Sequence, residues 1–185
     1  MIGAAFAVTL ARAQGGDEPA FACLFRDVQP ALLRYLYVIV PGPEAEDVAS
    51  DTWLQVVRGL AGFRGGEEAF RAWLFTIARH RAVDAGRARA RRPDVSMDGL
   101  EAAAQQTSPD AAEAALEVIS TRAVLALVAA LPRDQAEIIM LRVVAGLEAA
   151  DVAQIVGKTP GAVRVTAHRA LRRLADLAER AGVTQ

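Results

Sequence analysis

Residues 63–92 read FRGGEEAFRAWLFTIARHRAVDAGRARARR. Within them Phe70, Trp73, Leu74, Ile77 and Ala78 recur at intervals of three and four, the spacing of a helix that buries one stripe. Arg79, Arg81, Arg87, Arg89, Arg91 and Arg92 follow, with Asp84 the only acid among them. The spacing predicts one long helix whose apolar face runs into a basic one. Cations at helical spacing beside a buried stripe are the electrostatic footprint of a polyanion surface such as nucleic acid requires. A basic face that is merely solvated has the same pattern, so a second basic helix elsewhere weighs heavily.

Upstream, residues 18–40 carry helical periodicity through Phe21, Leu24, Phe25, Val28, Leu32, Leu36 and Ile39, with Pro30 expected to kink or divide the helix. Pro41-Gly42-Pro43 is a break. A helix over about 44–60 follows, with acids in its first turns as the helix dipole favours. Leu60 to Gly66 is a glycine-rich loop. Gly15-Gly16 sets off an N-terminal extension, residues 1–17. MIGAAFAVTLARAQ has a short apolar run and an Ala-Arg-Ala ending, but no basic side chain precedes the run and Thr9 interrupts it. A disordered or weakly helical extension is expected rather than a cleaved leader.

Downstream, residues 93–112 are polar and proline-bounded, a linker. Residues 93–121 hold Asp94, Asp98, Glu101, Asp110, Glu113 and Glu117 and no base. Helices are predicted over about 111–131, 133–145, 148–156 and 160–177, with Pro132 and Gly146 as breaks. No strand pattern or internal repeat is present. The expected architecture is all-α: two small helical domains, 18–92 and 113–178, joined by a flexible acidic linker and followed by a short tail, 179–185.

Bulk composition agrees with helices and hides the charge pattern. The chain has 185 residues, 53% hydrophobic and only 5% aromatic; alanine supplies much of the apolar content and is the best helix former. Net charge is -1, yet residues 160–173 hold Arg164, Arg169, Arg172 and Arg173 and no acid. Segregation of this kind points to a polyanion partner that net charge would not reveal. Nearly all the cations are arginine, whose planar fork suits phosphates and guanine edges, although a GC-rich coding sequence has the same effect. Cys23 is the only cysteine. It excludes a disulfide scaffold and cysteine zinc sites, is consistent with a reducing cytoplasm, and is most simply a small core residue. No segment has the roughly 18 apolar residues that a membrane span needs.

The second basic helix lies in LEAADVAQIVGKTPGAVRVTAHRALRRL, residues 147–174. Val152, Ala153 and Val156 can bury a short helix, and Gly157 stands where a tight turn requires a left-handed residue. Thr159 is a candidate N-cap and Pro160 a good first helical residue. Val163, Ala167, Leu171 and Leu174 form the expected buried stripe of a second helix. Its other faces offer Arg164, Thr166, His168, Arg169, Arg172 and Arg173. Such a helix can enter the major groove with its N-terminal half toward base edges. Arg172 and Arg173 lie late enough to meet only phosphate or solvent.

Taken together, FACLFRDVQPALLRYL, AEDVASDTWLQVVRGL and FRGGEEAFRAWLFTIARHRAVDAGRARARR resemble region 2 of the sigma-70 family. The segment AVLALVAALPRDQAEIIMLRVVAGLEAADVAQIVGKTPGAVRVTAHRALRRL resembles region 4. Their order, with no third domain between, resembles the extracytoplasmic-function (ECF, group 4) branch. The resemblance implies a non-enzymatic sigma factor that binds core RNA polymerase, chiefly the beta-prime and beta subunits, and directs it to promoter DNA. Glu46, Asp47, Asp51 and Gln55 match the polymerase-binding helix; acids that simply favour a helix N-terminus are compatible with that role.

Phe63, Arg64 and Gly65 match the loop that holds a flipped base of the -10 element, and Arg79, His80, Asp84, Arg87 and Arg91 fall on the helix beside it. A base leaving the stack costs a few kcal/mol, and the single strand needs a cationic track with stacking surfaces. His80 departs from a common asparagine. Trp73 could act as a wedge, but its place on the apolar stripe favours packing. Arg164, Val165, His168, Arg169 and Arg172 match the -35 recognition helix, with Thr159 at its start and Arg142 a supporting contact. Val165 and Thr166 replace a common Ser-Arg pair, which leaves fewer hydrogen bonds for base reading. An anti-sigma factor partner is implied, together with a cytoplasmic location at which that partner can tether the chain to the membrane. No cofactor, metal or membrane insertion is implied.

A different reading is a stand-alone helix-turn-helix regulator binding duplex DNA as a symmetric dimer. It leaves the acidic helix at 44–60 without a purpose, and no dimerisation heptads are present. An enzyme built on Cys23 or His80 lacks any accompanying metal spacing or phosphate loop.

Overall fold

The computed structural model describes residues 2–40, 42–91 and 122–180, and these contain helices and turns but no strand. The linker at 93–112 and the tail beyond 180 lie outside the described residues, as does most of the helix expected over 111–131; its described part is helical at 122–129 (α5).

The N-terminal segment differs from expectation. A 3-10 turn, Gly3–Ala5, leads into α1, Phe6–Gln14, and Phe6, Leu10 and Ala13 are buried. Their four-and-three spacing makes one stripe, which packs against the next helix, α2 (Glu18–Ile39), and sets Phe6 5.7 Å from the Phe70 ring. The chain then turns through Gly16, whose φ is +89°. Asp17 caps α2 by accepting the Ala20 amide at 2.9 Å. That bond and the Arg12 guanidinium, in that order, hold its carboxyl below the usual aspartate value.

Pro30 does not divide α2, which runs unbroken through 22 residues. Pro30 faces solvent, so the ring disturbs no packed neighbour, and burial of Leu24, Val28, Leu32, Tyr35, Leu36 and Ile39 along the stripe outweighs one missing backbone bond.

Helices α3 (Ala45–Leu60) and α4 (Glu67–Ala90) complete the first unit. Both carry acids in the first turn, where the helix dipole stabilises them. The two helices approach closely at Gly59: a Cβ there would stand 2.8 Å from the Trp73 ring. Trp73 is half-buried and stacks on Phe63 at 5.0 Å, so packing is its role in the fold. Cys23 is half-buried rather than in the core, because Leu24 and Ala20 occupy the inward face of its turn.

The second unit holds α5, α6 (Arg133–Ile139), a π-helical turn at Met140–Val144, α7 (Ala149–Val156) and α8 (Pro160–Arg180). The single helix expected over 133–145 is thus an α-helix that widens. The Ala145 amide reaches back five residues to Met140 O, and Gly146, at φ +68°, turns the chain toward α7. Gly157 ends α7 with φ +69°, and Thr159 Oγ1 accepts the Ala162 amide at 3.2 Å to start α8.

The buried residues of both units form one core cluster. Helix α2 contacts α6 and the π turn, and α4 contacts α7. Arg71, only 8% exposed, sits at this junction. Its Nη1 donates to Asp27 Oδ2 at 2.8 Å and its Nε to Ala145 O at 3.2 Å.

Candidate nucleic-acid and protein interfaces

Each candidate residue is placed by the apolar stripe on the opposite side of its helix. On α3 the inward residues are Val48, Ala49, Thr52, Trp53 and Val56. Glu46, Asp47 and Asp51 consequently face solvent, and Gln55 is half-buried beside them. Gln55 Oε1 lies 3.4 Å from Arg81 Nη2, and Glu46 Oε1 accepts the Tyr37 hydroxyl at 2.8 Å. Burial first, and then this carboxylate, push the Tyr37 hydroxyl up to about 12.

The same face carries two residues that the sequence reading missed. Leu54 and Val57 are 55% and 53% exposed. They border a shallow groove formed with Phe21, Phe25, Gln29 and Trp53. Their signal was available: they are the large apolar residues of α3 that fall off its buried stripe. The face is an acidic rim around an apolar patch, the composition of a protein-docking surface.

The loop between α3 and α4 is built rather than slack. The Phe63 ring stacks on Trp73 and meets Phe70 edge-on at 5.6 Å. Gly65 has φ +153°, and a Cβ there would come within 3.1 Å of the Phe63 ring. Arg64 is exposed, and its Nη1 donates to Ala61 O and Phe63 O. Along α4, His80, Asp84, Arg87 and Arg91 are exposed. Asp84 and Arg87 lie 3.6 Å apart on the surface, an ion pair weak enough to open for another partner. Arg91 Nε donates to the carbonyl of Arg87 one turn back.

Arg79 stands apart from that row. Its Nε donates to Glu137 Oε1 of α6 at 2.8 Å, and the Tyr35 hydroxyl donates to the same oxygen at 3.2 Å. Burial and, next, the Glu137 charge raise the Tyr35 hydroxyl far above its ordinary value, so it remains a donor. One predicted DNA-contact residue is therefore engaged by the second unit.

On α8 the buried residues are Val163 and Ala170, with Ala167, Leu174 and Leu177 partly buried. Leu171, expected inward, is 51% exposed. Arg164, Val165, His168, Arg169 and Arg172 are all exposed. At ~100° per residue they span about 140° of the helix, centred opposite the buried stripe. They form one surface of cations, an imidazole and an apolar side chain, the chemistry of a major-groove helix. Thr159 is occupied as N-cap. Arg142 is turned to structure: its Nη1 donates to Leu147 O and lies 3.5 Å from Glu148 Oε2. It braces the loop before α7 and is half-exposed. Among the described residues, no group of three or more His, Cys, Asp or Glu could hold a metal, and no helix is long and apolar enough to cross a membrane.

Residues 24–92 match the family description Sigma-70 region 2, and residues 121–174 match Sigma-70, region 4. The chain is 37% identical over 174 residues to the ECF RNA polymerase sigma factor SigD of Mycobacterium tuberculosis, covering 90% of this chain and 81% of that protein. It is 36% identical over 168 residues to the ECF RNA polymerase sigma factor BldN of Streptomyces coelicolor, covering 90% of this chain but only 63% of that longer protein. Among solved structures it is similar to the sigma factor RpoE of Bartonella quintana, crystallised with the anti-sigma factor NepR. The TM-score is 0.66 at 26% identity, covering 86% of this chain and 96% of that one. An all-helical chain with both regions in this order, each presenting its charged face away from its core, belongs to the sigma-70 family as an ECF sigma factor.

Proposed function

We propose that this chain is an alternative sigma factor: it binds core RNA polymerase, directs it to promoters and has no catalytic site of its own. One observation carries the reading furthest. The acidic face of α3 and the cationic face of α8 lie on separate helices, each opposite a buried stripe. One chain thus presents a protein-docking surface and a DNA-reading surface. A stand-alone regulator needs only the second.

In this reading Glu46, Asp47, Asp51 and Gln55 dock on the polymerase, with Leu54 and Val57 as the apolar centre. The loop at Phe63, Arg64 and Gly65 holds a flipped -10 base, supported by Arg79, His80, Asp84, Arg87 and Arg91. Arg164, Val165, His168, Arg169 and Arg172 read the -35 element, and Thr159 and Arg142 fix the geometry that presents them. Arg79 exchanges Glu137 for nucleic acid when the promoter is engaged. The chain acts in the cytoplasm, where polymerase and promoter are. The likeness to a sigma factor solved with its anti-sigma factor supports a partner of that class, held until release.

The test is co-migration of the chain with purified core RNA polymerase on a sizing column. A stable one-to-one complex is expected, lost in the Glu46→Lys, Asp47→Lys double variant while its circular dichroism is unchanged. A folded chain that binds duplex DNA and never binds polymerase would instead establish the stand-alone regulator.

A further inference from the structure

The loop assigned above to the flipped -10 base is held from outside by a segment that neither region match contains: the matches begin at residue 24. Gln14, the last residue of α1, is half-buried. Its Nε2 donates to Leu60 O at 2.9 Å and to Phe63 O at 2.8 Å. Leu60 ends α3, where a carbonyl has no partner within the helix. Phe63 is the residue whose ring lies on Trp73. At the far end of the loop, the Glu67 carboxylate accepts the backbone amides of Ile2 and Gly3, both at 2.8 Å. Phe6 packs on Phe70, against which Phe63 also rests. Both ends of the loop are therefore fixed to the segment 2–14.

From this geometry we infer that Gln14 is a positioning residue for promoter opening: its amide holds the α3–α4 loop in the shape that receives the extruded base. The inference rests on the sigma-factor reading of that loop. A pocket that holds a base out of the stack discriminates only if its walls are already in place, because ordering them on binding consumes the interaction. The amide N–H pair crosslinks two carbonyls from residues three apart, across a turn whose backbone bonds, Gly62 N to Gly59 O and Phe63 N to Leu60 O, leave the Phe63 carbonyl to side-chain donors. Arg64 also reaches Phe63 O, but from an exposed side chain that the proposed function gives to DNA.

Gln14→Glu keeps the shape and loses both donors; Gln14→Lys restores donors at that place. The experiment uses holoenzyme reconstituted with the full chain. Opening is read by a fluorescent base analogue in the -10 element, on a cognate promoter and on promoters substituted at each -10 position. Gln14→Glu is expected to reduce the ratio of cognate to substituted opening several-fold, with polymerase affinity unchanged and Gln14→Lys returning much of the ratio. Unchanged discrimination in Gln14→Glu, alongside a loss in Arg64→Ala, overturns the role of Gln14 and leaves the loop assignment standing. No loss in either variant removes the loop assignment and the role of Gln14 with it. A uniform fall on all promoters, tracking a lowered melting temperature and not rescued by lysine, shows a merely structural bond and also overturns the inference.

Discussion

Arg71 and Arg79 lie two turns apart on the same helix and do different work because their surroundings differ. Arg71 is almost fully buried and makes two bonds, one across α2 and one across to the second unit. Arg71→Ala removes a charge-assisted bond to Asp27 and a bond to Ala145 O, so it is expected to lower unfolding free energy by about 2–3 kcal/mol. Urea denaturation followed by circular dichroism measures it. Arg79 is a quarter exposed and can change partners at far smaller cost. Arg169 represents a third setting, an exposed cation on a rigid face. Its replacement by alanine should cost about 1–3 kcal/mol of -35 discrimination and leave -10 opening unaffected. Comparing promoters with and without a -35 element separates the two effects, and an equal loss on both would remove Arg169 from base reading.

At the scale of elements, turn chemistry was readable and helix phase less so. Gly157, Thr159 and Pro160 mark the turn between α7 and α8 in the sequence, and the structure uses each as its chemistry dictates. Gly157→Ala forces a Cβ into a left-handed conformation and should cost about 1–2 kcal/mol. A lowered melting temperature, with a proportionate loss of -35 duplex binding, is the expected result. The inward face of α8 was misread because Leu171 is more hydrophobic than Ala170. Yet residue 170 lies about 20° from Val163 around the helix and residue 171 about 80° from it; phase, not hydropathy, chose alanine. Phe6, Leu10 and Ala13 likewise spelled out α1, but so short an apolar run, interrupted by Thr9, read only as a disordered or weakly helical extension. The π turn after Ile139 left no sequence signal, since it arises from how the chain must swing to reach α7. Nor could any local pattern show that Gln14 reaches Leu60 and Phe63, because that bond joins residues more than forty apart.

At the scale of the molecule, the two units share one core, and among the described residues polar bonds cross between them from Arg71 to Ala145 O and from both Arg79 and Tyr35 to Glu137. Glu137→Lys places a cation against Arg79 and removes the acceptor of Tyr35. The expected result is a larger radius of gyration by X-ray scattering and tighter promoter binding by holoenzyme. Unaltered dimensions and affinity would show that Glu137 does not hold the units together.

In the proposed function, the engagement of Arg79 by Glu137 bears on how many promoters are used and not on their order. A ligand that binds only the separated form is weakened by the fraction of chains separated; if one chain in about a hundred is open, every promoter is bound about a hundredfold less tightly. The factor multiplies strong and weak sites alike. The contacts proposed for α8 and the α3–α4 loop then set the order of preference. If Glu137 holds the closed form, its carboxylate sets how far down that order transcription reaches.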